Sequence, residues 1–184
     1  MTTTPPSRAE LLAATGRVVP DLIVPGLKVL FSGINPGLYS AATGHHFARP
    51  GNRFWPALHA SGFTSRLLAA GEERELLALG LGITNIVEWA TASAAELTRA
   101  ELVSGARRLA SRVRRYRPLV LAVLGVGAYR TAFREPHADL GLQTLSIGTT
   151  AVWLLPSPSG LNAHYRPADF ARLFRNLREY VRRL

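Results

Sequence analysis

Gly33-Ile34-Asn35-Pro36-Gly37 follows directly on the apolar run Leu27 to Phe31. A short apolar run closed by glycine and proline reads as a buried strand that ends in a tight turn. Open α/β sheets bind ligands at the carboxyl ends of their strands, so this turn presents Asn35 where a ligand would sit. The flanking Gly and Pro let backbone approach a ligand closely, and the amide can both accept and donate hydrogen bonds. A site built on Asn35 would orient a molecule without ionising. Taken alone, the pentapeptide is equally an Asn-Pro turn with no further role.

Working outward, Ser7 caps a short helix through Glu10, Leu11 and Leu12, and residues 1–6 before it form a disordered tip. Residues 38–51 are rich in Gly, Ala, Ser and Thr and read as one long functional or mobile loop. Asn52 caps a helix through Phe54, Trp55 and Leu58 to Gly62, and a further helix covers Glu72 to Leu79. Leu81 to Val87 is a second strand, ending in Glu88 and Trp89. From Thr98, Leu102, Ala106, Leu109 and Val113 recur at helical spacing, and Pro118 then opens the apolar strand Leu119 to Leu124. Gly125 to Phe133 reads as a helix, and Thr144 to Ile147 and Val152 to Leu155 as strands around Gly148-Thr149-Thr150. Pro167 opens a terminal helix with Phe170, Leu173, Phe174, Leu177 and Val181 on one face. Strands alternating with helices at this pitch predict an α/β fold: one three-layer domain over residues 7–184, with a central, mostly parallel sheet flanked by helices.

The chain holds 22 Lys and Arg against 12 Asp and Glu, a formal charge of +10, and Lys28 is the only lysine. Arginine in place of lysine is what a GC-rich coding sequence produces, but such a bias does not explain the excess of positive charge. That excess suits a polyanion such as nucleic acid, the alternative being a merely soluble basic surface. Absence of cysteine excludes disulfides, thiol nucleophiles and cysteine-bound metal clusters. His45 and His46 are adjacent, and His59, His137 and His164 show no ligand spacing, so no metal is expected. With no signal-like N-terminus and no apolar run of bilayer length, the expectation is an intracellular, cytoplasmic protein that does not enter membranes.

A second loop, Leu155-Pro156-Ser157-Pro158-Ser159-Gly160-Leu161-Asn162, also follows an apolar strand and should meet the first at the same edge. Leu161 at its stiffened tip has no obvious core to join. In a basic protein it fits the role of a wedge that enters a base stack. With both loops in view, the chain resembles the mismatch-specific uracil/thymine-DNA glycosylases of the uracil-DNA glycosylase superfamily. The first motif is Gly33-Ile34-Asn35-Pro36-Gly37, continued by Thr43-Gly44, Phe47, Pro50 and Asn52-Arg53-Phe54-Trp55. The second is Pro158-Ser159-Gly160-Leu161, and Gly82-Ile83-Thr84-Asn85 and Leu124-Gly125 lie between them.

The resemblance implies a uracil-DNA glycosylase-like fold and a monofunctional DNA glycosylase, without cofactor and monomeric, acting on double-stranded DNA with mismatched or damaged pyrimidines. Such an enzyme flips uracil, and with room for them thymine or modified cytosines, out of the duplex and hydrolyses the N-glycosidic bond to leave an abasic site. It implies that Asn35 positions the hydrolytic water and that Phe47 stacks on the flipped base. Ile34, Gly37, Ser40 and Asn85 complete the base pocket, with Gly37 leaving space for substituted pyrimidines. Gly160, Leu161 and Asn162 fill the vacated space and face the orphan guanine, beside Ser157 and Ser159. Ser157 departs from the family's Asn at that place and loses one hydrogen-bonding function of the amide. Ser159 lacks the setting of a nucleophile and reads as a loop residue touching phosphate. Glu88, an acid after a strand, is a second catalytic candidate, the alternative being a solvated loop carboxylate. Two rival functions stand beside this one. The first is a non-catalytic mismatch-binding module of the same fold. The second is a small-molecule enzyme on a Rossmann-like sheet, for which Gly125-Val126-Gly127 is a poor phosphate loop because Arg130 occupies the place of its third small residue.

Overall fold

The computed structural model describes residues 4–184. Thr4–Pro6 carry no regular secondary structure; the rest of the expected N-terminal tip, residues 1–3, lies outside the described residues. Five strands form one sheet in the order β2-β1-β3-β5-β4: β1 (Val29–Gly33), β2 (Leu81–Asn85), β3 (Val120–Leu124), β4 (Gly141–Ile147) and β5 (Thr150–Leu155). β1, β2, β3 and β5 run parallel, whereas β4 joins β5 as an antiparallel hairpin through Gly148 at φ 63°. The sheet is therefore mixed, with its one antiparallel strand at an edge. Chain order places β2 on one side of β1 and β3 on the other, so the topology switches at the end of β1, the place at which doubly wound sheets open a crevice.

Every residue of β1, β2 and β3 is buried, as their near-continuous apolar sequences require of strands covered on both faces. One face packs against α3 (Phe54–Ala60), α4 (Glu75–Ala78) and α7 (Pro167–Val181), through Phe31, Phe54, Phe170, Phe174 and Leu177. Each such side chain contributes about 1.5–3 kcal/mol on leaving water. The other face packs against α5 (Arg99–Tyr116) and α6 (Val126–Ala132), through Leu102, Leu109, Val113 and Tyr129. A smaller cluster of Ala14, Val19, Ala41 and Ala90 joins α1 (Arg8–Ala13) to α2 (Leu38–Thr43).

Capping follows the sequence closely. Ser7 with Glu10, and Thr98 with Glu101, form reciprocal capping boxes, and Pro167 occupies the first turn of α7. Several boundaries differ from expectation: β4 begins at Gly141 ahead of Thr144, α3 begins at Phe54 with Asn52 Oδ1 accepting the Phe54 N–H from one position before the N-cap, and three differences lie near the carboxyl edge. The segment 38–51 contains α2, a helix of small residues stopped by Gly44 in the left-handed region at φ 75°. The helix expected over Glu72 to Leu79 is broken into a 3-10 turn, Ala70–Glu72, and α4, and between them the Glu73 carboxylate turns in toward His45 and His46. The second strand stops at Asn85 because Ile86 and Val87 leave β2 to hydrogen-bond the Gly33 and Ile34 carbonyls. Among the described residues no helix is long and apolar enough to cross a membrane.

Candidate active site at the carboxyl edge of the sheet

The turn after β1, the end of β2 and the loop after β5 converge on one cavity of about 390 Å³ at the topological switch. Asn35, Asn85, Phe47, Ser157 and Leu161 all line it, so the two loops singled out in the sequence do meet. Asn35 is half-buried. Its Nδ2 donates to the Trp89 carbonyl at 3.1 Å and to Thr91 Oγ1 at 2.8 Å. Thr91 spends its own hydroxyl proton on the Ser93 carbonyl at 2.8 Å and can only accept from Asn35. Turning the amide over would set its oxygen against two acceptors. The amide is therefore held one way round, with Oδ1 left as an acceptor for a molecule in the cavity.

Opposite it, Asn85 closes β2 in register with Gly33 and is only 4% exposed, yet its side-chain amide makes no hydrogen bond to the described residues. A Cβ on Gly33 would lie 2.5 Å from Asn85 Oδ1 and 3.4 Å from the Phe47 ring, so only glycine lets the amide and the ring close over β1. Arg112 of α5 donates to the Asn85 carbonyl at 2.7 Å and fixes that strand end from behind.

Phe47 sits at φ 52°, an uncommon backbone state for a bulky residue, and it stacks on Phe54 with centroids 4.2 Å apart. Such a conformation persists only where its surroundings determine it. Here Glu73 accepts the His46 N–H at 2.8 Å and pairs with His45 Nδ1 at 3.2 Å, while Ser40 Oγ accepts the Ala48 N–H at 3.2 Å. His46 lines the same cavity, and burial pushes its imidazole below the ordinary value, against the opposing pull of Glu73. Its Nε2 faces the Pro20 carbonyl at 3.0 Å, which can only accept. The neutral ring thus carries its proton on Nε2 and keeps a lone pair on Nδ1.

The loop after β5 is built around Arg53. The Arg53 guanidinium donates to the carbonyls of Asn162 at 2.7 Å and Tyr165 at 2.8 Å and lies 5.5 Å from the Phe170 centroid; its backbone N–H donates to the Pro158 carbonyl at 2.9 Å. A Cβ at Gly160 would stand 2.8 Å from the Gly51 carbonyl oxygen, so the loop lies tightly against the chain before α3. Leu161 projects from this support 77% exposed.

Residues 20–178 match the uracil DNA glycosylase superfamily. The chain belongs to that superfamily. The solution NMR structure of a candidate uracil DNA glycosylase from Methanosarcina acetivorans is similar over 89% of this chain and 98% of its own, with a TM-score of 0.57 and 18% sequence identity. At that identity the likeness carries the fold.

Within this superfamily member, most of the residues singled out in the sequence surround the cavity, and some are placed otherwise. Ile34 lines it while packing over Gly125, whose added Cβ would lie 2.9 Å from Ile34 Cδ1. Gly37 opens onto free space, since a Cβ there would meet nothing within 4 Å. Asn162 donates to the Ser157 carbonyl at 3.0 Å and accepts from the His164 N–H at 3.2 Å, so its amide is spent on the loop. Ser159 Oγ likewise accepts the Leu161 N–H at 3.3 Å. Glu88 is a correction: it does not line the cavity, because its carboxylate is drawn to Arg112 and lies 4.0 Å from Arg108. Arg112 needs that counter-ion because it is four-fifths buried, with Asp21 as its second partner at 3.4 Å.

No local pattern in the sequence marks Thr91, Arg53, Arg112 or Glu73 as parts of the site, and His46, beside His45 without metal-ligand spacing, lines the cavity. Arg53 and His46 do fall within the stretch that carries the family resemblance, which is the one signal that pointed to them. Among the described residues no group of three or more His, Cys, Asp or Glu could hold a metal ion.

Proposed function

We propose that this protein is a monofunctional pyrimidine-DNA glycosylase that extrudes uracil from G·U mismatches and hydrolyses its N-glycosidic bond. The observation that carries this reading is the Asn35 amide, locked by Trp89 and Thr91 with Oδ1 free toward the cavity. A base inside a duplex is out of reach, so the nucleotide must turn out of the stack. In the pocket the uracil ring lies on Phe47, and its imide edge meets the Asn85 amide, which can accept from N3–H and donate to O4.

The reaction breaks the bond from sugar C1′ to base N1. As that bond lengthens, positive character grows on the sugar and the electron pair leaves with the pyrimidine. Asn35 Oδ1 holds a water on the open face of C1′, and the oxygen of that water forms the new bond. The water proton passes to solvent or to the departing pyrimidine anion, leaving an abasic site. Asn35 acts through position and not as a strong base, since an amide does not take up a proton at neutral pH. Asn85 donates toward the oxygen that gathers negative charge, a contribution that grows as the bond breaks. Free space at Gly37 accommodates a 5-substituent, so thymine and modified cytosines fall within reach of the same pocket. Leu161 enters the gap that the extruded nucleotide leaves.

The test is single-turnover excision on a duplex carrying one G·U pair, scored by alkaline cleavage of the product strand. Strand scission at the uracil position supports the reading. Mismatch-selective binding without scission would leave a mismatch-binding module in its place.

A further inference from the structure

The carboxyl edge of the sheet uses few of the chain's many arginines. A different group collects at the opposite, amino edge. α5 ends there with Arg114 and Arg115 in its last turn, and Arg117 at its C-cap adopts the left-handed conformation at φ 48° just before β3 begins. Lys28 precedes β1 and lies beside this point, because the Leu119 N–H donates to the Leu27 carbonyl and the Val120 N–H to that of Lys28. From the other face of the sheet, α7 descends from the loop at the carboxyl edge. Tyr180 packs 5.2 Å from Trp153 in β5, which carries Arg182 and Arg183 past the helix end toward the start of that strand.

These six side chains are exposed, and none forms a salt bridge among the described residues. Glu179 is the acidic side chain in the same segments, so six cations face one anion. Other arginines do have carboxylate partners, Arg66 with Glu72 and Glu75, Arg112 with Asp21 and Glu88, and Arg130 with Asp139; what sets the amino edge apart is the gathering of six cations against one anion, about half of the chain's excess of positive charge. A basic residue in the last turn of a helix complements the helix dipole, which accounts for Arg114 and Arg115. It does not account for Lys28, which precedes a strand, nor for the ends of α5 and α7, on opposite faces of the sheet, bringing Arg117, Arg182 and Arg183 to the same edge.

We propose that the amino edge of the sheet is a second DNA-binding surface, on the pole opposite the cavity, able to hold a separate duplex segment while the carboxyl edge engages its own. Unpaired guanidinium groups on an open surface need only point contacts with phosphate oxygens, and counterion release supplies the affinity without any readout of sequence. A protein with two such poles moves between duplex segments by holding the second before it leaves the first. The choice of DNA as the polyanion rests on the glycosylase reading of the cavity; the position and charge of the surface do not.

The test compares the wild-type protein with the variant Arg114→Gln, Arg115→Gln, Arg182→Gln, Arg183→Gln, none of which touches the cavity. Each is loaded on beads through a biotinylated duplex carrying a hydrolysis-resistant 2′-fluorinated deoxyuridine opposite guanine. Retention of a fluorescent undamaged duplex is then measured per protein on the beads as salt is raised. Wild-type protein should retain the second duplex at low salt. The variant should retain at least tenfold less, and the slope of log affinity against log salt should fall by about 3 to 4, near one per cation removed. Single-turnover excision on a short G·U duplex at saturating enzyme should be the same for both. Bead-bound wild-type protein that captures no duplex, or a variant that captures as much, overturns the second surface alone. Capture of polyglutamate in preference to duplex overturns it in favour of an acidic protein partner. Failure of excision with capture intact overturns the glycosylase reading alone, and failure to load on the first duplex overturns both. If the fourfold variant melts early, Arg182→Gln with Arg183→Gln, beyond the end of α7, gives the same comparison at about half the change in slope.

Discussion

Asn35 Nδ2 donates to Thr91 Oγ1 across 2.8 Å, joining the turn after β1 to the segment after β2. Together with the Trp89 carbonyl, this bond decides which end of the amide faces the cavity. Replacing Thr91 by Val keeps the volume and removes the acceptor, so the amide loses half of its restraint. Single-turnover excision of uracil should fall by about tenfold, against about a hundredfold for Asn35→Ala, the scale of losing one oriented polar group. Thr91→Ser should restore the rate. A Ser variant as slow as the Val variant would show that the hydroxyl has no part in positioning.

Gly33 and Gly37 bracket the same turn and predict opposite responses to alanine. At Gly33 the new methyl would meet Asn85 Oδ1 at 2.5 Å, within a buried pair of parallel strands that cannot yield. Gly33→Ala should push Asn85 aside and lower uracil excision by about a hundredfold or more. At Gly37 the methyl enters open space, so Gly37→Ala should keep its fold and its uracil activity, with any loss confined to 5-substituted pyrimidines. Parallel uracil and thymine time courses check both statements.

His46 gives a pH dependence whose sign follows from its burial. Its pKa in the folded protein is depressed below 6.5, the unfolded reference, chiefly because burial penalises the charged ring. Between the folded and the unfolded pKa the unfolded chain binds the extra proton, so stability contributed by neutral His46 is complete above pH 6.5 and is lost as pH falls toward the folded value. The capped carboxylates Glu10, Glu72 and Glu101 are depressed below 4.5 and act in the same direction only at lower pH. Thermal melts between about pH 5 and 7 should therefore show a decline toward acid that His46→Gln flattens. Unchanged slopes would mean that the ring is already charged in the fold.

Asn35 and Leu161 were legible in the sequence because each follows an apolar strand and stands among glycines and prolines, a local pattern. The mostly parallel sheet was legible for a similar reason, since strands alternating with helices imply it, whereas the strand order was not. The antiparallel β4 was not distinguished from its parallel neighbours, because a hairpin through Gly148-Thr149 needs no more turn signal than a loop. Thr91 and Arg53 act on partners 56 and up to 112 residues away, and nothing in a window of sequence marks such a pairing. The partner of Glu88 is hidden for the same reason: its neighbours Val87 and Trp89 suggest a strand end near the cavity, while Arg112 lies on α5, 24 residues further on.

Arg53 Nη1 donates to the carbonyls of both Asn162 and Tyr165 in the loop after β5, while its guanidinium lies over the Phe170 ring. Lysine offers the charge without the planar, rigidly placed donors that stack on the ring. Arg53→Lys should thus loosen the loop almost as much as Arg53→Ala does, raising the enzyme concentration needed for half-maximal excision on duplex by about tenfold. Recovery of wild-type behaviour by the lysine variant would show that charge alone is required.

Leu161 stands 77% exposed on that loop, so it contributes little to the folded core and its truncation should leave the melting temperature within error of wild type. Under the proposed function its work lies in the duplex. Extruding a nucleotide costs a few kcal/mol of lost stacking, which an inserted apolar side chain offsets by occupying the gap. Leu161→Ala should lower excision from a well-paired duplex by about tenfold or more, a loss of at least about 1.4 kcal/mol, and should lower it much less on single-stranded DNA, where no stack is opened. A mismatch such as G·U, already weaker than a Watson–Crick pair, should fall between the two. Measuring all three substrates with one melting curve separates the possibilities: equal losses on every substrate, or a lowered melting temperature, would return Leu161 to an ordinary structural role.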